Sequence, residues 1–391
     1  MIINNVRKDI PGNFFGSYLI GQEEIQEVRE VLEEKSIFRY YGLNVLGKTD
    51  KFENQLKEYF KVKYSLGTSS GTASLKCALK ALGVKRGDEV IVPAYGFIAT
   101  AGAVVACNAI PVFCDVDKSL SLDPYQLVER ITNKTRAIIP VHIMGLAANM
   151  SKIKEIGNNY SIPIIEDTAQ SFGGTYKGEK LGTIGDIGCF SFQANKILST
   201  GEGGAIVTNN NHYYQKALVY HDQGGIRVNG GFPTWDSEGA TFGENYRMSE
   251  ISAAIGNVQL RKIPEMLSKM KNNRKKLNNL LASNLTSIEF RQSWDFEGEC
   301  GISECFYVEN EGVRNELIEE LKHSGINAHG YYNAATYENK MVRKHIETIY
   351  PCLNAEKLSK RAIWLTLNPG YKDEDINYIA EKTISLVNKL V

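Results

Sequence analysis

Apolar and polar residues follow two different rhythms in the first half of the chain. Near the start, Ile25, Val28, Val31 and Leu32 recur at the spacing of one helix face, which predicts a helix over residues 21–35. Farther along, short apolar runs without alternation are separated by helix-like stretches. Unbroken apolar runs are typical of strands buried on both faces, so we expect a mainly parallel sheet covered by helices.

Strands and helices are predicted to alternate up to about residue 210. The predicted strands are the segments 64–68, 89–93, 110–116, 136–142 and 163–167, a turn and strand over 185–192, and a short run at 205–207. The other predicted helices are 52–60, 71–83, 97–107, 123–131 and 151–160. Ligands of such α/β sheets bind outside the carboxyl ends of the strands, so a site is expected at that edge.

The pattern changes in the second half of the chain. Residues 246–283 form one long helical stretch, which we expect to be bent or interrupted near Pro264. From about residue 285 the sequence is typical of a smaller α+β region. The predicted organisation is an N-terminal arm over 1–20, a large domain over 21–260 and a small C-terminal domain over 261–391.

The composition argues against several classes of protein. Lys plus Arg and Asp plus Glu both number 45 among 391 residues, and no run of like charges occurs, so neither a nucleic acid nor a membrane is expected as a partner. No apolar run approaches the roughly 20 residues that span a bilayer. The first residues lack a signal-peptide pattern, so a cytoplasmic protein is expected. The seven cysteines are scattered without a C-x-x-C pair, so no metal site is expected.

One junction between a predicted strand and a predicted helix is rich in small polar residues. Ser69, Ser70, Gly71 and Thr72 stand where the helix begins. Free N–H groups and the helix dipole make such a position a natural anion site. Plain N-capping by serine or threonine explains the same residues without any ligand.

Two other strand ends hold candidate side chains. Glu166 and Asp167 directly follow a predicted buried strand, where a carboxylate faces the ligand crevice unless it only caps a helix or forms a surface ion pair. Phe97, or the nearby Tyr95, follows the strand predicted at 89–93. Such a ring stacks on a planar ligand or, more often, belongs to the core.

Lys196 lies in the sequence "SFQANKILSTGEGG", between two predicted buried strands. A buried lysine is costly unless its charge is used. Beside a cofactor, a desolvated lysine acts as a nucleophile that forms a Schiff base. The alternative is a structural lysine that reaches solvent from a loop. The glycines that follow permit a tight turn under either interpretation.

Together these residues indicate a pyridoxal phosphate (PLP) site, because an anion cradle, a stacking ring, a carboxylate at a strand end and a lysine follow one another on an α/β sheet. The chain also resembles the sugar aminotransferases of the DegT–DnrJ–StrS type, within the fold type I PLP enzymes related to aspartate aminotransferase. This resemblance implies a mainly parallel, seven-stranded sheet in the large domain and a smaller C-terminal α+β domain. The blocks that carry it, in family order, are "SSGTASL", "GDEVIVPAYGFIAT", "IIPVHIMGLAANM", "IIEDTAQSFGGTYKG", "GDIGCFSFQANKILSTGEGGAIVTNN" and "NYRMSEISAAIGNVQL".

The resemblance implies a role for each matching residue. Lys196 matches the lysine that holds PLP and shuttles the proton, and Asp167 matches the aspartate that pairs with the pyridine nitrogen. Gln170 matches a residue beside the ring oxygen, and Phe97, with Tyr95 as the alternative, matches the stacking ring. The phosphate cradle is matched by Ser70, Gly71, Thr72 and Ser191, together with Asn245 or Arg247 of a neighbouring subunit.

The last match implies a homodimer with shared active sites. Glu202, in the "GEGG" turn, matches a residue that is either structural or catalytic. The implied reaction moves an amino group from L-glutamate, which becomes 2-oxoglutarate, to a keto or aldehydo sugar. The implied pathway is amino-sugar biosynthesis for a surface polysaccharide or a secondary metabolite.

The sugar itself must be inferred from the variable segments. Residues 36–53 and 326–347 depart from many family members and are similar to the subgroup that makes 8-amino sugar acids of the octulosonate type. Arginine suits a carboxylate or a phosphate, so the acceptor is expected to carry an anionic group. That group is a nucleotide diphosphate, which we slightly favour, or the carboxylate of a free sugar acid. The candidate substrate residues are Arg39, Tyr40, Tyr41, Arg227, His329, Tyr331 and Tyr332. The alternative role of the two arginines is in contacts between subunits.

Two other classes of protein are less consistent with the sequence. A PLP-binding regulator without turnover is disfavoured because Asp167 and Lys196 are both retained. A nicotinamide oxidoreductase on a similar sheet is disfavoured because no G-x-G-x-x-G follows a predicted strand.

Overall fold

The computed structural model describes residues 13–228, 231–332, 336–346 and 348–391. The first twelve residues of the predicted arm lie outside this description, as do parts of two candidate substrate loops, at 229–230 and 333–335. Within the described residues the strands are β1 (Tyr64–Thr68), β2 (Glu89–Pro93), β3 (Ile110–Cys114), β4 (Thr135–Ile138), β5 (Ile165–Asp167), β6 (Thr175–Tyr176), β7 (Glu179–Lys180), β8 (Ile187–Ser191), β9 (Gly204–Thr208), β10 (Ile226–Arg227), β11 (Pro233–Thr234), β12 (Glu289–Phe290), β13 (Ser303–Tyr307), β14 (Ala328–His329) and β15 (Ala362–Thr366).

The helices alternate with these strands much as the sequence predicts. None of those described is both long enough and apolar enough to cross a bilayer. They are α1 (Phe15–Tyr18), α2 (Gln22–Glu33), α3 (Lys48–Phe60), α4 (Gly71–Ala81), α5 (Ile98–Ala106), α6 (Pro124–Leu127), α7 (Met150–Tyr160), α8 (Asn211–His221), α9 (Glu250–Asn284), α10 (Glu311–His323), α11 (Lys340–Arg343), α12 (Leu353–Ser359) and α13 (Asp373–Leu390).

Seven strands form the large sheet in the order β3-β2-β4-β5-β8-β9-β1. Parallel bridges from Ile138 to Ile164 and from Val141 to Asp167 join the β4 edge to the β5 edge. Neighbouring strands run parallel from β3 to β8, whereas β9 is antiparallel to both β8 and β1. The predicted mainly parallel α/β sheet is confirmed.

Two strands are shorter than the apolar runs that predict them. β4 ends at Ile138 and β5 begins at Ile165, because Pro140 and Pro163 have no N–H to donate to the ladder. The proline carbonyls still take part, since they accept from Ile138 N at 3.1 Å and from Asp167 N at 2.9 Å. The sheet therefore holds together up to the carboxyl edge where the candidate residues lie.

Helix α9 crosses the boundary predicted at residue 260. Its first part, which includes Ala253 and Met270, belongs to one core cluster with α3 and the large sheet, and its last turns belong to the core of the C-terminal region. The helix continues through Pro264, so the expected interruption does not occur. An interior proline costs about 3 kcal/mol. The buried side chains of Ile263 and Met266 beside it offset that cost.

The C-terminal region has its own antiparallel sheet, in the order β12-β13-β15-β14. Helices α10 and α13 and the end of α9 pack against it through one apolar core. This is the smaller α+β unit expected from the sequence. Trp364 of β15 is fully buried and joins a core cluster that extends into the large sheet, so the two sheets are packed against each other.

Candidate active site

Lys196 lies on the connection between the antiparallel strands β8 and β9, at the carboxyl end of β8. Its side chain is half-buried and lines a cleft. Desolvation lowers the pKa of the Lys196 amine, and the charge of Asp167 opposes that shift without cancelling it. A larger fraction of the amine is therefore neutral near pH 7 than for an exposed lysine.

Glu166 and Asp167 end strand β5, and their environments differ. Glu166 is fully buried and accepts from His142 Nε2 at 2.9 Å, from the N–H groups of Gly182 and Gly185, and from that of Ile184. His142 Nδ1 accepts from a backbone N–H, so its Nε2 is the donor. Four donors satisfy the Glu166 carboxylate, which makes it a structural group.

Asp167 is close enough to Lys196 for each charge to affect the pKa of the other. One carboxylate oxygen accepts from Thr100 Oγ1 at 2.8 Å, and the other accepts from Ala169 N at 3.2 Å. Burial raises the pKa of Asp167, and these hydrogen bonds and Lys196 only partly oppose it. A positively charged group bound beside Asp167 relieves this desolvation, so the site favours a cationic ligand atom there.

The start of helix α4 meets the end of strand β8. Ser70 caps the helix, with its Oγ accepting from Ala73 N at 3.1 Å. Among the described residues, nothing accepts from the N–H groups of Gly71 and Thr72. A Cβ at Gly71 would lie 2.7 Å from the Cβ of Ser191, so only glycine allows this approach. The result is a cradle of two free amides and a hydroxyl, which suits an anion.

The two aromatic candidates have different surroundings. Tyr95 is fully buried, donates its O–H to Tyr331 O at 2.7 Å and accepts from Trp364 Nε1. Phe97 stands at the N-cap of α5 with 57% of its surface exposed. Only Phe97 therefore has a ring face free to meet a ligand.

Gln170 is held by one hydrogen bond at each end of its amide. Its Oε1 accepts from Met144 N at 3.0 Å, and its Nε2 donates to Tyr332 OH at 3.0 Å. Tyr332 packs edge-on against Tyr95, and burial raises its pKa. The sequence predicted Gln170 and Tyr332 separately, and the structure brings them together in the cleft.

Several cleft-lining residues were missed by the sequence analysis. Asn13 and Phe15 lie in the stretch predicted as an arm or coil, where no periodicity distinguished them. Met144 and Ile302 are apolar residues that no motif in the sequence singled out. Lys196 carries the only positive charge among the described residues that line this cleft. Its other walls are neutral amides, tyrosines and apolar side chains.

Asn245 and Arg247 lie beside the strand end that leads to the anion cradle. The backbone of Arg247 forms an isolated antiparallel β-bridge with Thr68, and that of Asn245 forms one with Asp222. Arg247 Nη1 lies 2.5 Å from Asp222 Oδ1. Asn245 is exposed. Their predicted role at a neighbouring subunit's phosphate stays a prediction.

The predicted substrate role of Arg39 stays a prediction, and its surroundings do not favour it. Its guanidinium is buried and lies 3.0 Å from both oxygens of Glu53, with Asp50 at 3.2 Å from Nη2. Glu53 in turn accepts from Gly67 N at 2.7 Å. An arginine bound in this way ties residue 39 to strand β1 and offers no free fork to a ligand.

Arg227 is also engaged within the chain. It contacts both oxygens of Asp222, at 2.5 and 3.3 Å, and its guanidinium lies 4.1 Å from the ring centre of Tyr40. Tyr41 is 44% exposed and packs against Phe232. Arg227, Tyr40 and Tyr41 thus lie close together, and none of them lines the Lys196 cleft.

The other candidates divide between two places. Tyr331 lines the Lys196 cleft. His329 stacks against Tyr331 but lines a separate depression on α10, and its Nε2 is hydrogen-bonded to Asn327. Glu202 is exposed on the turn after Lys196.

The chain is similar to proteins of one known family. The model of the DegT/DnrJ/EryC1/StrS aminotransferase family matches residues 19–383. GDP-perosamine synthase of Escherichia coli O157:H7 is 35% identical over 337 residues, which cover 85% of this chain and 88% of that protein. An aminotransferase structure from Psychrobacter cryohalolentis has a TM-score of 0.86 at 26% identity and covers 95% of this chain and 98% of its own. NtdA from Bacillus subtilis, solved with bound cofactor PMP, has a TM-score of 0.85 at 26% identity. The match covers 98% of this chain and 86% of NtdA.

Proposed function

The chain belongs to the DegT/DnrJ/EryC1/StrS aminotransferase family, and from this membership we propose that it moves the amino group of L-glutamate to a keto or aldehydo carbon of a nucleotide-linked sugar. The products are the amino sugar and 2-oxoglutarate. The protein is a PLP-dependent sugar aminotransferase of fold type I. The donor, the acceptor and the role of each residue are our proposal.

The residues at the carboxyl edge of the sheet fit PLP group by group. The free amides of Gly71 and Thr72, with the Ser191 hydroxyl beside them, suit the phosphate. The buried carboxylate of Asp167 suits a protonated pyridine nitrogen. The amine of Lys196, with its lowered pKa, suits an aldehyde carbon. The proximity of Lys196 to Asp167 is the observation that carries this assignment.

When bound, PLP supplies an electron sink that stabilises negative charge on the α-carbon of the amino donor. The Asp167 carboxylate holds a proton on the pyridine nitrogen, and this pairing offsets its own desolvation. Lys196 Nζ, whose pKa is lowered by desolvation, would take the proton from the donor's α-carbon and deliver it to the cofactor carbon that carries the amino group. Phe97 offers an exposed ring face for stacking, and Gln170 lines the Lys196 cleft with its amide fixed.

The chemistry of the cleft favours a neutral sugar ring beside Lys196. Amide and phenol groups from Asn13, Gln170 and Tyr331 suit sugar hydroxyls. No described residue of the cleft other than Lys196 offers a cation to a sugar carboxylate. A nucleotide-linked sugar keeps its charge on the diphosphate, away from the reacting carbon. The printed name of the GDP-perosamine synthase relative also supports a nucleotide-linked acceptor.

The same proposal includes a homodimer with shared sites. Among the exposed large apolar side chains, Tyr41 and Phe232 contact each other and are 44% and 78% accessible. Patches of this kind mark interaction surfaces. Asn245 and Arg247 are the residues that we assign to the phosphate of the neighbouring subunit.

Absorbance of the purified holoenzyme tests the donor half of the reaction. L-glutamate is expected to convert the lysine-linked cofactor band to the PMP band, with 2-oxoglutarate formed in equal amount. A band that no amino donor changes contradicts turnover.

The reverse reaction tests the acceptor: nucleotide-linked amino sugars and free amino sugar acids are each supplied with 2-oxoglutarate. Faster turnover of the free acids contradicts the nucleotide-linked acceptor.

A further inference from the structure

Residues 13–18, here called the N-terminal segment, contact the backbone that carries Lys196. Gly16 N donates to the carbonyl oxygen of Lys196 itself at 3.0 Å. The Ser17 hydroxyl donates to the carbonyl of Ala194 at 2.5 Å and lies 3.2 Å from Ser199 Oγ. The turn that presents the lysine is therefore held by hydrogen bonds from a segment far away in the sequence.

The approach of Gly16 to this turn leaves no room for a side chain. A Cβ at Gly16 would lie 2.7 Å from both Ile197 O and Ser199 N, and 2.9 Å from Gln259 Oε1. Two of these three atoms belong to the backbone of the lysine turn, so the obstacle cannot rotate away. Gly16 is thus required by close contact with the residues that flank Lys196.

The same segment forms a wall of the cleft. Phe15 is 5% exposed and shares a core cluster with Phe192 and Ile197, on either side of the lysine. Asn13 Oδ1 accepts from Tyr331 OH at 3.0 Å, and Tyr331 OH lies 3.2 Å from Thr366 Oγ1 of β15. The N-terminal segment thus connects the lysine turn to the small domain across the cleft.

We propose that the N-terminal segment fixes the position of the Lys196 amine, with Gly16 and Ser17 acting as positioning residues through the backbone of the lysine turn. This inference rests on the proposed function, in which Lys196 binds the cofactor and moves the proton. Gly201 and Gly203 lie in the same connection between β8 and β9, and a glycine backbone has more conformational freedom than that of other residues, so contacts from outside the turn matter for its position. Proton transfer depends on placement, since an error of about 1 Å can cost roughly 10²-fold in rate.

Glycine-to-alanine substitution at two nearby positions gives a matched test. Gly16→Ala places a methyl against the lysine turn, whereas a Cβ at Gly21 meets nothing within 4 Å. Gly16→Ala is expected to lower kcat by about tenfold or more, with a smaller change in KM. It is also expected to shift the pH midpoint at which the lysine-linked cofactor changes its absorbance, and to slow uptake of PLP by the apoprotein. Gly21→Ala is expected to match the parent in all three measurements.

Ser17→Ala provides a milder variant in case Gly16→Ala does not fold. It removes one hydrogen bond to Ala194 O and is expected to shift the absorbance midpoint in the same direction by less, while Ser17→Thr, which keeps the hydroxyl, restores it. The melting temperature of each apoprotein separates positioning from stability. A lower melting temperature with an unchanged midpoint and kcat overturns the inference.

Borohydride reduction and peptide mapping separate this inference from the proposed function. If the cofactor is found on Lys196 in every variant and the Gly16 and Ser17 variants behave like the parent, the N-terminal segment only packs and the proposed function stands. If the cofactor is found on a different lysine in the parent protein, the proposed function fails, and the inference fails with it.

Discussion

Glu166 and Asp167 are consecutive in strand β5, yet their carboxylates serve different purposes. Glu166 is closed off by His142 and three backbone amides, whereas Asp167 has two donors and is coupled electrostatically to Lys196. Successive side chains of a strand point to opposite faces. One carboxylate is therefore committed to the interior of the fold, and its neighbour is available to a ligand.

This arrangement predicts opposite consequences for two isosteric substitutions. Asp167→Asn is expected to keep the fold and the cofactor but to lose at least roughly 10²-fold in kcat, because the pyridine nitrogen loses its charge partner. Glu166→Gln is expected to lower stability instead, because an amide NH₂ faces N–H donors that it cannot accept from. Steady-state kinetics and urea unfolding of both variants distinguish the two effects. An Asp167→Asn enzyme as active as the parent would remove Asp167 from the mechanism.

The second prediction identifies the lysine that binds the cofactor. Borohydride reduction of the holoenzyme is expected to label Lys196, and Lys196→Ala is expected to fold without forming the lysine-linked band. Lys180 is the matched control, because burial, with help from Lys61, lowers its pKa to about 8, so it too is a reactive amine. Its amine lies 3.1 Å from the ring centre of Tyr59, and it does not line the Lys196 cleft. A label on Lys180 in the parent protein would contradict the assignment.

The third prediction is a pH dependence. Burial lowers the pKa of Lys196 below 10.5, so the neutral amine is available at lower pH than for a free lysine. Attachment of PLP to the apoprotein is expected to accelerate as pH rises and to level off at the lowered pKa, below 10.5. Between the lowered pKa and pH 10.5, Lys196 binds more protons in the unfolded chain than in the folded chain. Its contribution to the free energy of unfolding therefore increases with pH across that range. Stopped-flow absorbance measures the rate, and a plateau only above pH 10.5 would contradict the lowered pKa.

The residues that we assign to the cofactor could be proposed from the sequence because they follow local rules. Asp167 and Ser191 end strands of the sheet, and Gly71 begins a helix, so element boundaries alone bring them to one edge. The arginines were not predictable in this way. Whether Arg39 meets a ligand or Glu53 depends on which carboxylate the tertiary fold places beside it.

The N-terminal segment shows a second limit of the sequence. Asn13 and Gly16 stand in a stretch with no helical or strand period, and their partners Tyr331 and Lys196 are far away in the chain. Contacts of that kind leave no local pattern. The continuity of α9 through Pro264 is similar, because the packing that offsets the proline comes from α3 and the large sheet.

The fourth prediction follows from the ion pair between Arg39 and Glu53. Arg39→Ala is expected to cost about 3–5 kcal/mol of unfolding free energy, because Glu53 is left as a buried charge without its partner. KM for the sugar acceptor is expected to stay within about twofold, since Arg39 does not line the cleft. Replacing both residues, as Arg39→Met with Glu53→Gln, is expected to recover part of the stability. An unchanged urea midpoint together with a raised KM would instead support Arg39 as a substrate residue.

The last prediction tests the shared sites. Asn245→Ala combined with Arg247→Ala is expected to inactivate the enzyme. The double variant is expected to fold, because Asp222, which loses its ion pair with Arg247, keeps the one with Arg227. If these residues serve the other subunit, a hybrid with a Lys196→Ala chain contains one intact site: Lys196 comes from one chain, and Asn245 and Arg247 come from the other. With random pairing, about half of the dimers are hybrids, and each hybrid has one working site out of two. The mixture is therefore expected to regain about a quarter of the parent activity. Each inactive chain, unfolded and refolded alone, is the control. If the residues act within their own chain, the hybrid has no intact site, so recovery no greater than in the controls contradicts sharing.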